Sequence, residues 1–244
     1  MKILADYHTH TLYSKGIISK HAKGTIEENV KVAISKGLET IGISDHSYNH
    51  LTYGIKRDDI FRMREEIDIL NEKYKNQIKI LLGIESNILD NNGNIDCDEK
   101  LRDVLDYVMA GYHFGSKPTN LKALLNHGNN YFFKTEKSQE YNTLAIINAM
   151  KNNDIFVITH PGDKGNVYIE EIAKVAKETD TRLEINSSHK FLNAEQLKKI
   201  EHVGTKFIVG SDAHIPQNVG NFDLALNTIK EANIDLALVE NIKF

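Results

Sequence analysis

Short apolar runs that are rich in β-branched residues alternate along this chain with longer amphipathic segments. Such alternation is typical of βα units that surround a parallel sheet. The apolar runs predict seven strands, over residues 3–6, 40–44, 78–83, 107–110, 155–159, 182–185 and 206–209. The fold class that we expect is therefore α/β, with a single domain over residues 1–244.

The segments between the predicted strands carry the signals of helix ends. Thr25 and Glu28 match a capping box, and Gly37 marks the end of that helix. A second capping box, with Asn193 and Gln196, opens a helix near the carboxyl end. Spacing predicts further helices over residues 58–74, 135–152, 168–179 and 222–232. Turn-rich composition predicts loops over residues 91–98 and 128–130.

Composition limits the class of protein. A chain of 244 residues that is 41% hydrophobic can bury a sizeable core. Its net charge of −4 lacks the basic excess of a general nucleic-acid binder. The single cysteine, Cys97, excludes an internal disulfide and is typical of a reducing compartment. No apolar stretch reaches the roughly 20 residues of a membrane span or forms a signal-peptide core. We therefore expect a soluble cytoplasmic protein.

Residues that can coordinate divalent metal ions stand in short motifs, mostly where an apolar run ends. They are His8, His10, His21, His46, Glu85, His113, His160, Asp212 and His214. In α/β barrels the functional side chains lie at the carboxyl ends of the strands and in the loops just beyond. All of the nine except His21 follow a predicted strand. This placement predicts one metal site at one end of the barrel and indicates a metallohydrolase.

The residue types within these motifs suit metal binding. His8 and His10 alternate on an extended segment, so both side chains can point to one ion. Glu85 follows a buried run, where a carboxylate without a cationic partner is costly, and a carboxylate can bridge two metal ions. After the second strand His46 is the expected ligand, while Asp45 could bind metal, orient an imidazole or cap a turn.

The motifs resemble those of the PHP (polymerase and histidinol phosphatase) superfamily, and among its members the short stand-alone bacterial phosphatases of the YcdX type. They are His8-x-His10, Ser44-Asp45-His46, Gly83-Ile84-Glu85, Gly111-Tyr112-His113, Thr159-His160-Pro161-Gly162, Glu184-Ile185-Asn186 and Ser211-Asp212-Ala213-His214. The resemblance implies a distorted (β/α)7 barrel of the TIM type, with the active site at the carboxyl ends of the strands. It also implies a centre of three divalent metal ions.

The resemblance further assigns ligands to each ion, and it is the reason to include His21, which lies in a loop. One ion would be held by His8, His10, Glu85 and Asp212. A second ion would share Glu85 as a bridge and be held by His113 and His160. The third would be held by His21, His46 and His214. Zinc, manganese and ferrous iron all accept such imidazole and carboxylate ligands.

The expected activity is metal-dependent hydrolysis of small phosphomonoesters, with histidinol phosphate as one candidate substrate. A hydroxide that bridges two metal ions would be the nucleophile. The expected catalytic residues are Glu85, Asp212 and His214, and either of the last two could transfer the leaving-group proton. The candidate substrate-binding residues, which alternatively are solvated loop charges, are Lys164, His189 and Lys190.

Two other functions remain open at this point. PHP modules also accompany DNA polymerases, so a nuclease that acts on nucleic-acid ends is one alternative, although the chain has no basic stripe. A metal-binding scaffold without activity is another, but structural zinc sites are usually rich in cysteine. We discount an amidohydrolase, because such an enzyme would commonly use a carboxylated lysine on the fourth strand and residues 108–110 offer none.

Overall fold

The computed structural model describes residues 2–14 and 21–243, and in this part of the chain seven parallel strands form a nearly closed barrel. In chain order, which is also their order in the sheet, the seven strands are β2 (Ala5–Asp6), β3 (Thr40–Ile43), β4 (Lys79–Asn87), β5 (Tyr107–Gly111), β6 (Val157–Ile158), β7 (Arg182–Asn186) and β8 (Phe207–Gly210). The predicted (β/α)7 barrel is therefore confirmed.

The predicted strand over residues 3–6 is divided in two. Its first part, β1 (Lys2–Ile3), pairs with β9 (Ile242–Lys243) in a separate antiparallel ribbon, and only Ala5 and Asp6 enter the barrel. Leu4 lies between the two parts, and its amide donates to the carbonyl of Asn241. The chain therefore changes partners within a run that the apolar pattern cannot subdivide.

Helices surround the sheet. They are α1 (Ile26–Ser35), α2 (Asp59–Tyr74), α3 (Glu99–Arg102), α4 (Leu121–Phe132), α5 (Glu136–Asn152), α6 (Ile169–Glu178), α7 (Ala194–Ile200) and α8 (Asp223–Ala232). Both predicted capping boxes form, at Thr25 with Glu28 and at Asn193 with Gln196. Each of these helices in the described ranges is too short or too polar to cross a membrane.

The loop predicted over residues 128–130 is wrong, because these residues lie inside helix α4. Asn120 caps the helix by accepting a hydrogen bond from the amide of Ala123. Gly128 and the asparagines near it carry turn signals in the sequence. The helix tolerates them because buried Asn130 makes hydrogen bonds with Asn142 of α5.

Two apolar layers support the barrel. The larger lies between the strands and the helices, where Ile41, Leu82 and Phe207 are fully buried. A smaller cluster includes Met109 and Val157, which are register partners on β5 and β6 and share a face with Glu85 of β4. Because register partners point to the same side of a sheet, the side chains that follow Glu85 round this face are apolar on β5 and β6.

The carboxyl-terminal segment joins the first and last strands of the barrel. The buried amide of Asn241 donates to the carbonyls of Ala5 and Val209, at 2.8 Å each, and accepts from the Val209 amide at 3.0 Å. Beyond the strands, the backbone of His10 donates to Ala213 at 2.8 Å. One side chain thus replaces part of the hydrogen-bond ladder between β2 and β8.

Candidate active site

The nine predicted metal ligands gather at the carboxyl end of the barrel. Seven of them line a pocket of about 240 Å³, namely His21, His46, Glu85, His113, His160, Asp212 and His214. The other two, His8 and His10, are fully buried beside these residues. Glu85 lies within β4 itself, because that strand continues to Asn87. The strand-end pattern therefore located residues that are neighbours in space.

Glu85 is the centre of the cluster, and its two oxygens face different imidazoles. Oε1 lies 3.1 Å from Nε2 of His113 and 3.1 Å from Nε2 of His160. Oε2 lies 3.4 Å from Nε2 of His8 and 2.9 Å from Nδ1 of His46. A carboxylate in this position can bridge two ions, one on each oxygen.

Asp212 supplies the second carboxylate. Its Oδ1 lies 3.2 Å from Nε2 of His10 and 3.5 Å from Nε2 of His8. Both Asp212 and His160 have a positive φ, of 53° and 28°. Residues other than glycine rarely adopt this conformation, and it costs on the order of 1–3 kcal/mol at such sites. The fold therefore holds both side chains in the pocket against local backbone preference.

A third group of imidazoles lies at the mouth of the pocket. Nε2 of His21 is 3.2 Å from Nε2 of His46 and 2.9 Å from Nε2 of His214. The ring of Tyr53 stacks on His21 with centroids 3.8 Å apart and planes 6° from parallel. His21, which the spacing of the motifs alone did not single out, is thus placed among the other predicted ligands.

Several ligand atoms in the cluster lack the partners that buried polar atoms need. Nε2 of His8, both ring nitrogens of His10, Nδ1 of His46 and Oε2 of Glu85 are buried without a hydrogen-bond partner among the described residues. Leaving so many buried polar atoms unpaired would be costly. Divalent metal ions would satisfy Nε2 of His8, Nε2 of His10 and Oε2 of Glu85, which face one another, so the donor set fits the metal centre that the family resemblance implies.

Hydrogen bonds with Glu184 and Asn87 fix the ring orientation of two of the expected ligands. Nδ1 of His8 donates to Oε1 of Glu184 at 2.6 Å, and Nδ1 of His113 lies 2.9 Å from Oδ1 of Asn87. Each ring then presents the lone pair of Nε2 to the carboxylates, and two facing lone pairs require a cation between them. Glu184 belongs to one of the sequence motifs, but the sequence predicts no role for it. Its position on a buried strand, like that of Glu85, was the available signal.

The charges of the cluster shift the pKa values of its members. Burial acts to raise the pKa of Glu85, but the surrounding imidazoles hold it well below its usual value. Burial lowers the pKa of His21 to about 3 and that of His214 to about 4, and neighbouring histidines add to both shifts. The pocket therefore favours ionised carboxylates and neutral rings at its mouth, which are the protonation states that bind metal.

The three predicted substrate-binding residues occupy different positions. Lys164 and His189 line the pocket, whereas Lys190 is exposed and lies outside its lining. Lys164 pairs with Asp163, which also lies 3.2 Å from Nδ1 of His189. Burial opposes protonation of His189, but hydrogen bonds to Asp163 and Asp212 raise its pKa to about 9.

Asp45 caps a turn, which is one of the three roles that its motif allowed. Its carboxylate accepts from the amide and hydroxyl of Thr11, at 2.8 and 2.6 Å, and from the amide of Ser14 at 3.1 Å. These bonds hold the segment that follows His10. The described contacts of Asp45 are thus structural, and His46 is the residue of that motif that lines the pocket.

Comparison with known proteins supports the family that the motifs resemble. The model of the PHP domain family matches residues 6–188. A probable phosphatase from Thermoanaerobacter sp. strain X514 is 36% identical, with 99% of this chain and 91% of the relative covered. A probable phosphatase from Caldanaerobacter subterraneus subsp. tengcongensis is 33% identical, with coverage of 99% and 88%. These names support the expected hydrolase.

Among solved structures, a histidinol phosphate phosphatase from Lactococcus lactis subsp. lactis is similar with a TM-score of 0.66. It was determined in complex with zinc, L-histidinol and phosphate. The two chains are 20% identical, and the similarity covers 95% of this chain and 94% of the other, which shows a shared fold. Because the family model and close relatives both match most of its length, this chain belongs to the PHP domain family.

Proposed function

We propose that this protein is a metal-dependent phosphatase that hydrolyses small phosphomonoesters. The observation that carries this proposal is the position of Glu85, whose two oxygens face separate groups of imidazoles at the base of an open pocket. A structural metal site is normally closed by its protein ligands, whereas a catalytic one leaves room for water and substrate. The names of the relatives support the same class of reaction.

The proposed centre holds three divalent ions. The first would be bound by His8, His10, Glu85 and Asp212. The second would share Glu85 and be bound by His113 and His160. The third would be bound by His21, His46 and His214. Within each set, ligand atoms lie 2.9 to 3.7 Å from at least one other member. Zinc, manganese and iron remain candidates, and the zinc of the Lactococcus protein supports the first of them.

The bound ions would supply a metal-activated water as nucleophile and neutralise the charge of the phosphoryl group. The residues of the chain prepare the site for this chemistry. Glu184 holds the ring of His8 in the tautomer that presents Nε2. His214 donates from Nδ1 to the carbonyl of Asp212 at 2.9 Å, which leaves its Nε2 facing the pocket.

The cationic side of the pocket would bind the substrate. His189, whose pKa Asp163 and Asp212 raise to about 9 in the metal-free protein, lies beside Lys164 in the pocket lining. Two cationic groups can bind phosphate oxygens, and His189 can give a proton to the leaving oxygen. In this proposal His189 serves better as the proton donor than Asp212 or His214, since both of those are metal ligands.

The size of the pocket supports a small substrate. A volume of about 240 Å³ accommodates a phosphate and a compact leaving group beside the metal ligands. Histidinol phosphate is a candidate on the ground of the structural neighbour, whose complex contains L-histidinol and phosphate. The net charge of −4 gives nucleic acid no comparable support.

Phosphate release from p-nitrophenyl phosphate tests the proposal. We expect hydrolysis by the purified protein, loss of activity on chelation, and a decrease of at least about a hundredfold in His8→Ala and Asp212→Ala. His202→Ala is the matched control because His202 is exposed and outside the pocket. Equal activity in all four proteins would overturn the mechanism. Bound metal without hydrolysis of any phosphomonoester would favour the scaffold alternative.

A further inference from the structure

Helix α4 packs onto the barrel with its polar face and turns its apolar face outward. Its buried positions are Ala123, Asn126 and Asn130. The outward face carries large apolar side chains that are 54% to 71% exposed, namely Leu121, Leu124, Leu125, Tyr131 and Phe132. Phe133, which follows the helix, is 72% exposed. An amphipathic helix normally buries its apolar stripe, so this orientation is inverted.

The polar face is attached firmly, so the orientation of α4 is built into the fold. Asn126 and Asn130 each donate to Oδ1 of Asn142 at 2.8 Å, and Asn142 donates back to Asn130 at 2.9 Å. Rotating α4 to bury its leucines would break this amide network and leave polar groups unpaired. The stripe therefore stays exposed in the isolated chain.

The stripe forms one continuous surface. Residues 121, 124, 125, 128, 131 and 132 follow the spacing of a single helix face. Each large side chain has about 150–250 Å² of surface. The three leucines, Tyr131, Phe132 and Phe133 together therefore expose on the order of 700 Å² of apolar surface. This is more than the typical largest apolar patch of a monomer and close to the roughly 800 Å² that each partner buries in a standard interface.

We propose that the stripe of α4 is the interface of a symmetric homodimer, with α4 of a second copy as the occupant. Three leucines occupy the first half of the stripe and aromatic residues the second half, with Gly128 between them. A two-fold axis at Gly128 would place the two helices antiparallel, with the leucines of each on the aromatic rings of the other. The stripe is thus complementary to itself.

Gly128 and the charge pattern support this occupant. A Cβ atom added at Gly128 would meet nothing within 4 Å, so the backbone there is open to close approach by another helix. Lys122 is the only charged residue in the sequence of α4, and residues 123–132 carry no formal charge, so the apolar centre of a two-fold contact holds no like charges. A membrane-binding helix would instead carry several lysines or arginines beside its apolar face. The charge pattern therefore favours a second copy over a lipid surface.

Sedimentation equilibrium on the full chain tests the proposal. We expect the wild type to have twice the chain mass of 27.7 kDa at micromolar concentration. Leu125→Glu should raise the dimer dissociation constant at least about thirtyfold, because it buries a charge at the centre of the interface. Ile69→Glu is the matched control, since Ile69 on α2 is 69% exposed and lies outside the stripe. It should leave the mass unchanged.

A cysteine variant tests the arrangement without relying on a disruptive substitution. Gly128→Cys should form a disulfide between two copies on mild oxidation, because the two-fold axis brings both Cα atoms close together. Ile69→Cys should not. A wild type that stays monomeric at 100 µM, or a dimer that Leu125→Glu leaves intact, would overturn the proposal. So would a failure of Gly128→Cys to cross-link, or a monomer that sediments with phosphatidylglycerol vesicles through this stripe.

Discussion

Oε1 of Glu184 accepts a hydrogen bond from Nδ1 of His8 at 2.6 Å, across 176 positions of sequence. The other oxygen of Glu184 accepts from the amide of His160 at 2.9 Å and from Nδ2 of Asn186 at 2.9 Å. One buried carboxylate thus orients the ring of His8, just beyond β2, and the backbone of His160, another expected ligand. Since Glu184 faces both residues but not the open pocket, we assign it a positioning role.

Glu184→Gln should weaken metal binding although it leaves all nine expected metal-ligating residues in place. Glutamine has one acceptor oxygen, and its NH₂ group would face one of the N–H groups that now donate to Glu184. The ring of His8 would then lose the hydrogen bond that fixes its tautomer. We expect metal affinity to fall by about 10- to 100-fold in a competitive titration with a chromogenic chelator. Glu240→Gln is the matched control, since Glu240 binds Arg182 and is not part of the pocket lining. Equal affinity in both variants would contradict the positioning role.

The positions of the expected metal ligands could be predicted from the sequence because the carboxyl ends of all the barrel strands lie at the same rim. Each parallel strand delivers its carboxyl end to the same rim, so His46 and His113 meet although 67 positions separate them. The role of Glu184 could not be predicted, because its contact with His8 depends on which face of β7 points into the barrel. A carboxylate on a buried strand signals that it has a polar partner, but the local residue pattern does not say which residue that partner is.

The sequence does not predict helix α4, for a related reason. An apolar stripe at helical spacing normally indicates the face of a helix that packs on the core. In α4 the apolar stripe faces outward, and the buried positions are Ala123, Asn126 and Asn130. Asparagine is common in turns, so the two buried asparagines do not indicate a helix. Likewise, the apolar pattern predicts a single strand over residues 3–6, because the pairing of Ile3 with the distant β9 has no local signal in the sequence.

Asn241→Ala should destabilise the barrel. The Asn241 amide makes three hydrogen bonds to the backbones of Ala5 and Val209, and its loss leaves buried carbonyl and amide groups unpaired. We expect the free energy of unfolding to fall by about 2–4 kcal/mol in urea titrations. Exposed Asn227→Ala should change it by less than about 0.5 kcal/mol. A similar small change at both positions would show that the amide does not hold β2 to β8.

His189 should make the metal-free protein less stable at alkaline pH. Its folded-state pKa is about 9, above the usual value near 6.5, so its contribution is fully present below about pH 6.5. That contribution is lost as the pH rises to 9. We expect the difference in unfolding free energy between wild type and His189→Gln to shrink by on the order of 1–3 kcal/mol over this interval. A difference that does not vary with pH would rule out a protonated His189 between Asp163 and Asp212.

Cys97 should be unreactive in the folded protein. Burial raises the pKa of its thiol to about 11, and the side chain is 6% exposed. At pH 8 about one thiol in a thousand is then ionised, and only the thiolate reacts. Iodoacetamide should label the native protein at least about a hundredfold more slowly than the protein unfolded in guanidinium. Comparable rates, followed by mass spectrometry, would contradict a buried thiol.

We propose above that the cluster around Glu85 holds a catalytic centre of three metal ions. The most direct test is to remove all metal, add back zinc or manganese in measured equivalents, and record p-nitrophenyl phosphate hydrolysis after each addition. We predict no activity in the metal-free protein and a plateau at three equivalents per chain. Undiminished activity after complete metal removal, or a plateau at a single equivalent, would contradict the claim.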